Sequence, residues 1–300
     1  MQYKKVWDVK APWGVISCTA RGNPNGQPVL LVHGRQDCAA TFEPLLQHMA
    51  LKDYHYVALD MPGSGRSTPF PFGIKIMRFH FLASVELVVE HLGWDKFIYI
   101  GHSMGCELGF FYKAIYPGRI TRMVLLDGEP GLRRIQVRDP KDYQTMFYDD
   151  YYNNYEKENF GFRTYTKPQA VKALMKAREL TEDKATLIVD QSLIHVTGDQ
   201  YRFTWGGRLK LPAAQNYPNT YYFALFSNIP PTILISATNA VSANSKYRKD
   251  SLELIEMLKT LKNFKEVFAE GNHDVHLNCP ERVAPVVVDF LKEAEVRSKL

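Results

Sequence analysis

The feature that most constrains the fold is an alternation of short apolar runs with amphipathic helical segments. Four apolar runs, PVLLVHG from Pro28, YHYVALD from Tyr54, KFIYI from Lys96 and RMVLLD from Arg122, are separated by helical patterns. Continuous apolar runs of this length are typical of strands that are buried on both faces. Strands that alternate with helices indicate a parallel sheet wrapped by helices. The sequence therefore predicts an α/β protein with a mostly parallel sheet.

This alternation is interrupted once, by an aromatic and polar stretch that contains its own helical patterns, near Pro168–Leu180 and Glu182–Ile194. Afterwards the strand run PTILISA, the helix SLELIEMLKTL, the strand KEVFAE and the helix PERVAPVVVDFLKEA continue it. We therefore expect one α/β core in two parts, residues 1–127 and 230–300. A mainly helical cap, residues 128–229, is expected to be inserted between them after the sixth strand.

The composition excludes several classes of function. The net charge is +5, and no Lys/Arg cluster with interleaved aromatic residues predicts a nucleic-acid surface. Cys18, Cys38, Cys106 and Cys279 share no ligand spacing, which argues against a zinc site and against a disulfide framework. The opening MQYKKVWDVK has no apolar core of a secretion signal, and no run approaches the roughly 20 apolar residues of a membrane span. We expect no metal, no cofactor, no nucleic-acid partner and no membrane span.

The stretch GHSMG carries the strongest chemical signal. It follows the apolar strand KFIYI and opens a helical segment, which is the setting of a nucleophile elbow. Gly101 and Gly105, two positions on either side of Ser103, leave room in a tight turn where a Cβ would clash. A turn without catalytic meaning is the alternative interpretation. We predict that Ser103 is a nucleophile, which requires a histidine base and a carboxylate that orients it.

The base is expected late in the chain, because this architecture orders its triad as serine, acid, histidine. The segment EVFAEGNHDVHLNCP places His273 just after the last strand, where catalytic groups gather in open α/β sheets. His276 is the rival, and we expect it to pack or to form hydrogen bonds at the start of the last helix. We therefore predict that His273 is the base.

The acid is harder to assign. The loop after the strand that follows the cap contains no acidic residue before Asp250, and Asn239 stands where a carboxylate is expected. Asp127 ends the strand before the cap, one strand away from the elbow. We assign Asp127, with Glu129 as the fallback and Asp274 as a poorer choice because it neighbours the histidine. A structural role for Asp127, capping the first turn of the cap, is the alternative.

Acyl transfer also requires donors for a developing oxyanion. We expect the backbone N–H of Met104, just after the nucleophile, and the backbone N–H of Arg35, in the loop after VLLVHG. His33 in that loop is interpreted as a structural hydrogen-bonding residue. Asp60, in LDMPGSGRS, is interpreted as an acid that stabilises a turn.

The segments HGRQD, LDMPGSGRS, GHSMG, LLDGEP and GNHDVH occur in the order and spacing of the α/β-hydrolase superfamily, and the chain resembles it over nearly its whole length outside the cap. The opening VKAPWGVISCTARG and the ending GNHDVHLNCPERVAPVVVDFL resemble the serine hydrolase-like (kraken-type) family, a branch similar to the epoxide hydrolases. The resemblance implies a serine hydrolase and, in several members, an association with peroxisomes. Ser103 in place of an aspartate at the elbow argues against epoxide hydrolase or dehalogenase chemistry.

These features favour a serine hydrolase that cleaves an ester or thioester of a hydrophobic small molecule. A slow or non-catalytic receptor of the same fold, and a hydrolase of C–C bonds, are the alternatives. Aromatic residues of the cap could provide an apolar surface for the substrate, although a role in the cap's own core is the alternative for most of them. They are Phe147, Tyr148, Tyr151, Tyr152, Tyr155, Phe160 and Phe162.

The chain ends in Ser298-Lys299-Leu300. In a eukaryote this tripeptide at a free carboxyl terminus is an address read by the peroxisomal import receptor. The motif predicts a peroxisomal location, with the cytoplasm as the alternative, and that receptor as a partner. Lipid-derived esters or acyl thioesters would suit this location.

Overall fold

An eight-stranded, mostly parallel sheet forms the centre of the computed structural model, which describes residues 4–49, 52–133, 139–239 and 248–297. The strands are β1 (Lys4–Ala11), β2 (Gly14–Gly22), β3 (Gln27–Val32), β4 (Tyr54–Leu59), β5 (Phe97–His102), β6 (Ile120–Leu126), β7 (Leu193–Thr197), β8 (Gln200–Phe203), β9 (Thr232–Ala237) and β10 (Phe264–Ala269). The order across the sheet is β1-β2-β4-β3-β5-β6-β9-β10. The pairs β1–β2 and β2–β4 are antiparallel, and the pairs from β4 onward are parallel. The predicted α/β-hydrolase fold is confirmed.

Helices cover both faces of this sheet and also form most of the segment between β6 and β9. They are α1 (Glu43–Gln47), α2 (Arg78–Leu92), α3 (Met104–Ile115), α4 (Glu129–Arg133), α5 (Pro140–Gln144), α6 (Asp150–Asn153), α7 (Tyr155–Phe160), α8 (Lys167–Arg178), α9 (Glu182–Ser192), α10 (Asn219–Phe226), α11 (Arg248–Lys259), α12 (Val275–Asn278) and α13 (Pro280–Arg297). Helix α2 ends at Gly93, as its pattern predicts, because Gly93 adopts a left-handed conformation at φ 65°.

The central strands are mostly apolar because each packs against helices on both faces. In β3, Leu30 and Val32 join the core beneath α2 and α3, whereas Val29 and Leu31 join the core beneath α1 and α13. Each of these four side chains is fully buried. Alternate residues of a strand point to opposite faces, so an uninterrupted apolar run supplies both cores at once.

The sequence patterns did not predict two elements of the structure. Strand β1, in the charged opening of the chain, pairs with β2 along its full length and leaves Lys4 and Lys5 exposed at the sheet edge. Strands β7 and β8 form a hairpin inside the predicted cap, where the sequence predicted a helix reaching Ile194. Both elements are edge or surface strands with many polar residues, so that neither shows the apolar run of a central strand.

The segment between β6 and β9 contains α4 to α10 and the hairpin, and part of it has a small core of its own. Helices α8 and α9 form this core with Ala170, Leu174, Ala185, Ile188 and Val189. It also includes Cys38 and Leu277 from the α/β core, so the two parts pack directly on each other. Among the described residues, no helix is both long and apolar enough to cross a bilayer. The terminal tripeptide 298–300 lies outside the described residues.

Candidate active site

The register of three parallel strands brings the predicted catalytic residues to one edge of the sheet. His102 at the end of β5 pairs with Leu126 at the end of β6, and Leu126 pairs with Ile235 of β9. Ser103 and Asp127 directly follow β5 and β6. Since the carboxyl ends of parallel strands meet at one edge, these two residues lie at the same edge of the sheet.

Ser103 occupies a strained turn between β5 and α3. Its φ of 52° and ψ of −114° lie in a region of backbone conformation that residues other than glycine rarely adopt. A Cβ added at Gly101 would lie 2.6 Å from the carbonyl oxygen of Gly105, so the turn leaves no room for one. Both glycines of GHSMG are therefore required by the close approach of backbone to backbone, as the motif predicts.

Gly105 provides a direct test of this strained turn. A Cβ at this position would lie 2.1 Å from the carbonyl oxygen of Val32, an atom of the backbone of β3 that cannot rotate away. We expect Gly105→Ala to lower the free energy of unfolding by about 3 kcal/mol, because α3 must shift away from the sheet. Denaturant titration followed by circular dichroism measures the loss.

The matched control is Gly198→Ala. Unlike Gly105, Gly198 has a positive φ, 54°, but a Cβ there would meet no atom within 4 Å. Gly198→Ala should lower the free energy of unfolding by about 1 kcal/mol, which is the cost of placing alanine in the left-handed conformation. Equal losses in the two variants would contradict the packing argument.

Ser103, His273 and Asp127 form a connected set of hydrogen bonds. The Oγ of Ser103 lies 3.0 Å from Nε2 of His273, and Nδ1 of His273 lies 2.5 Å from Oδ2 of Asp127. The ionised carboxylate only accepts, so Nδ1 carries the proton and Nε2 is left to accept from the serine hydroxyl. The arrangement is that of a general base held in the tautomer that can take a proton from Ser103.

The orientation of Asp127 explains why this carboxylate reaches the histidine. Its backbone has φ 46° at the end of β6, and its Oδ1 accepts a hydrogen bond of 3.0 Å from the backbone N–H of Ala237. Glu129, the fallback, instead accepts a hydrogen bond of 2.7 Å from the Ser251 hydroxyl. Asp274 is bonded to Arg178. Of the three acids considered, only Asp127 forms a hydrogen bond with the ring of His273.

His276 is fully buried and lies against other rings. Its ring centroid is 4.2 Å from that of His102 and 5.5 Å from that of Phe42. Burial holds the pKa of His276 well below its ordinary value, so the ring is neutral. It packs against other rings, as expected, but in the short helix α12 and not at the start of the last helix α13. Neither ring nitrogen has a hydrogen-bond partner among the described residues.

His33 and Asp60, the two residues interpreted as structural, form hydrogen bonds in the turns around the loop that carries Arg35. Nδ1 of His33 donates to the carbonyl oxygen of Gly34 at 2.6 Å, and its Nε2 accepts from the backbone N–H of Met61 at 2.9 Å. Asp60 accepts from the backbone N–H groups of Ala39 and Arg66, at 2.7 and 3.0 Å. Neither contacts the Ser103 hydroxyl.

The predicted oxyanion donors flank the nucleophile. Met104 is the first residue of α3, where backbone N–H groups have no partner within the helix. The loop that carries Arg35 runs beside Ser103, since a Cβ on Gly34 would lie 3.0 Å from the Cβ of Ser103. The Arg35 side chain turns away toward the cap and donates to the carbonyl oxygen of Lys210.

The nucleophile and the base open into a cavity of about 570 Å³ between the α/β core and the cap. Leu174, Ala177 and Trp205 form its apolar wall on the cap side. The polar wall contains Arg35, Lys176, Arg178, Glu179, Asn239 and Asn272. This volume and mixed lining suit a small organic substrate with an apolar part.

The aromatic residues singled out in the cap do not line this cavity. Phe147 is buried in the core beneath α2 and α3 and Tyr151 is buried as well, whereas Tyr152 and Phe160 are more than half exposed. The cavity instead uses Trp205, which the sequence patterns did not single out. Trp205 lies two residues after the end of the hairpin strand β8, and its ring stacks on Phe203 at 4.8 Å.

A buried network of ionic side chains beside the catalytic set was also not predicted. It joins Asp37, His102 and Asp274 of the α/β core to Arg178 of the cap. Asp37 stands in the motif HGRQD and Asp274 in GNHDVH, the segments predicted to carry an oxyanion donor and the base. Acidic residues inside these two segments are a sequence signal that could have indicated the network. Their partner Arg178 carries no comparable local signal.

Comparisons with known proteins agree with this fold. A family model described as the alpha/beta hydrolase fold matches residues 27–280. The "Serine hydrolase-like protein" of Danio rerio is 31% identical over 298 residues, which cover 94% of this chain and 86% of that protein. "Serine hydrolase-like protein 2" of Homo sapiens is 27% identical over 293 residues, covering 94% and 92%. The chain therefore belongs to the α/β-hydrolase fold family, among its serine hydrolase-like members.

Solved structures share the whole fold. The hypothetical protein PA1622 from Pseudomonas aeruginosa PAO1 matches with a TM-score of 0.78 and 25% identity, covering 96% of this chain and 99% of that chain. The thioesterase domain from the curacin biosynthetic pathway has the same TM-score at 19% identity, covering 95% and 99%. The second likeness shows the fold alone. Taken with the family, these findings make the protein a hydrolase.

Proposed function

We propose that the protein hydrolyses a carboxylic ester or thioester of a hydrophobic small molecule through an acyl-enzyme on Ser103. One observation carries this proposal: Oγ of Ser103 lies 3.0 Å from Nε2 of His273, whose Nδ1 lies 2.5 Å from Asp127. Membership of the serine hydrolase-like family supports it.

The chemistry follows from this geometry in two halves. His273 takes the proton of the Ser103 hydroxyl as the oxygen attacks the acyl carbon, and Asp127 stabilises the imidazolium that forms. The backbone N–H groups of Arg35 and Met104 donate to the oxyanion. His273 then protonates the alcohol or thiol as it leaves. Water repeats the sequence against the acyl-serine, which releases the acid and restores the free hydroxyl.

The cavity supports a substrate with an apolar portion. The cap contributes Leu174, Ala177 and Trp205 beside the nucleophile. The polar wall combines the cations Arg35, Lys176 and Arg178 with the acids Asp37, Glu179 and Asp274, and it can hold the polar part of such a substrate. Esters and thioesters both meet these requirements, so the choice between them is left to experiment.

The test is covalent labelling of the folded wild-type protein with a fluorophosphonate probe. Trypsin should release the segment 97–113, which contains Ser103 as its sole serine, with the mass of the probe added. The same preparation is then assayed on p-nitrophenyl esters of increasing acyl length, on the matching acyl thioesters and on β-diketones. We expect labelling of this segment and saturable hydrolysis of esters or thioesters.

Other outcomes would lead to a different function. A folded protein that neither labels nor hydrolyses any panel would contradict the proposal and favour a ligand-binding protein of this fold. Turnover of the β-diketones alone would favour cleavage of C–C bonds.

We further propose a peroxisomal location, on the basis of Ser298-Lys299-Leu300. The proposal requires that Leu300 carry a free carboxyl group. In eukaryotic cells, a fluorescent protein fused to the amino terminus should bring the chain to peroxisomes, and removal of residues 298–300 should return it to the cytoplasm. Identical distributions of the two fusions would contradict the assignment.

A further inference from the structure

Arg178, the last residue of cap helix α8, joins the cap to two catalytic loops of the core. Its Nε donates to Oδ2 of Asp274 at 3.0 Å, and its Nη2 donates to the other oxygen of the same carboxylate. Its Nη1 donates to Oδ1 of Asp37 at 3.0 Å. Asp274 directly follows His273, and Asp37 stands two residues after Arg35. One guanidinium group therefore bonds both the loop of the base and the loop of an oxyanion donor.

The backbone at the end of α8 is held by the same loop. The side-chain amide of Asn272 donates to the carbonyl oxygen of Arg178 at 3.1 Å, and that of Asn278 donates to the carbonyl oxygen of Glu179 at 3.3 Å. The last carbonyl groups of a helix have no partner within it. Amides from either side of His273 thus satisfy them, and the position of α8 is coupled to that of the base.

His102 completes the connection to the nucleophile, which it precedes in sequence. Its Nε2–H donates to the backbone carbonyl oxygen of His273 at 3.0 Å, and its Nδ1 lies 3.6 Å from Oδ2 of Asp37. The carbonyl oxygen can only accept, so Nε2 carries a proton in either charge state of the ring. Asp37, His102 and Asp274 are each at most 3% exposed.

We propose that Arg178 is a positioning residue, through which the cap holds the Arg35 loop and the His273 loop in register around Ser103. The inference rests on the proposed function and adds the cap to the machinery that arranges the catalytic groups. The cap thereby both forms the wall of the cavity and sets the geometry of the groups that react in it.

The charges of the buried carboxylates Asp37 and Asp274 explain why a cation is needed between them. Burial alone would raise the pKa of the Asp274 carboxyl, but the adjacent Arg178 guanidinium lowers it to about 2. The pKa of Asp37 is likewise held far below its ordinary range by Arg178, against the effect of burial. Both carboxylates are thus ionised throughout the range in which a serine hydrolase works. Without Arg178, two buried negative charges would face His102 with no cation between them.

His102 can report on this arrangement. Burial would lower its pKa, but the nearby Asp37 carboxylate and the charge of Asp274 outweigh that effect and raise it. Arg178 acts in the opposite direction. The titratable and charged groups around His102 are His33, Asp37, Arg178, His273, Asp274 and His276.

The experiment compares Arg178→Gln and Arg178→Lys with wild type on the ester or thioester that the wild type hydrolyses best. We expect Arg178→Gln to lower kcat about 100-fold and to change KM less than about threefold, because misplaced reacting groups slow the chemical step. Lysine keeps the charge but not the fork that reaches both carboxylates, so Arg178→Lys should restore about tenfold of that loss. Lys172→Gln removes a charge from an exposed site on the same helix and should leave kcat unchanged.

An NMR titration of His102 in ¹³C-histidine-labelled protein distinguishes positioning by charge from a general loss of structure. Arg178→Gln should move the His102 titration to higher pH, and Asp274→Asn should move it to lower pH. The double variant should return it close to wild type and should also fold if Arg178→Gln alone does not. A merely structural role would not produce opposite shifts that cancel.

Two results would overturn the inference: a kcat for Arg178→Gln within threefold of wild type, or a His102 titration that neither single variant moves. The failure of the proposed function would look different, since it would be a wild-type protein without turnover. In that case the titration would still decide whether Arg178 couples the cap to the two loops.

Discussion

Replacing Ser103 with alanine should abolish fluorophosphonate labelling of the segment 97–113 and lower kcat by about 10⁴-fold or more. The reason is that no other hydroxyl stands 3.0 Å from Nε2 of His273 among the described residues. The loss of a triad nucleophile costs about 10⁶-fold in a well-studied serine protease. Hydrolysis measured on the preferred substrate, together with mass spectrometry of this segment, checks the prediction.

Ser103→Gly is the companion variant, and it separates catalysis from stability. Glycine adopts the φ of 52° and ψ of −114° found at this position without strain, whereas alanine retains the strain of serine. Both variants should be inactive, but the free energy of unfolding should be higher in Ser103→Gly than in Ser103→Ala by about 1 kcal/mol or more. Activity equal to that of the wild type in either variant would refute the role of Ser103 as the nucleophile.

The second large effect is expected for Asp127→Asn, which should lower kcat by about 10⁴-fold. An asparagine keeps the shape of the side chain and can still accept from the N–H of Ala237, so folding should be little affected. It cannot stabilise the imidazolium, and its amide group can hold His273 in the wrong tautomer. Steady-state kinetics and a thermal unfolding curve of the same preparation check both parts.

Glu129→Gln is the matched control, with the same chemical change two residues away. Glu129 bonds the hydroxyl of Ser251 and does not contact His273, so kcat should stay within about threefold of wild type. A large loss with Glu129→Gln and none with Asp127→Asn would reverse the assignment of the acid.

The sequence patterns were informative wherever the determinant is local. The uninterrupted apolar runs of β3, β4, β5 and β6 predict buried strands because each run must supply two cores. GHSMG predicts the elbow because the close approach at Gly105 excludes any side chain. Strand β1 and the hairpin were missed because edge and surface strands retain polar residues on their open side.

The choice among acids illustrates what local patterns leave open. Asp127, Glu129 and Asp274 all stand near predicted strand ends, and spacing favours one without excluding the others. Which carboxylate reaches His273 depends on the register of β6 against β9 and on the left-handed backbone of Asp127. Both properties arise from pairing with strands that lie far away in the sequence.

The sequence alone predicts the α/β class, the insertion of a cap after the sixth strand, and the candidate nucleophile and base. What faces the nucleophile depends on the tertiary structure, because the cavity wall combines side chains from the cap and from loops of the core. The bond between Arg178 and Asp37 spans 141 positions of the chain. No periodicity or motif encodes such a contact, since it exists only once the cap has packed on the sheet and a buried carboxylate needs a cation.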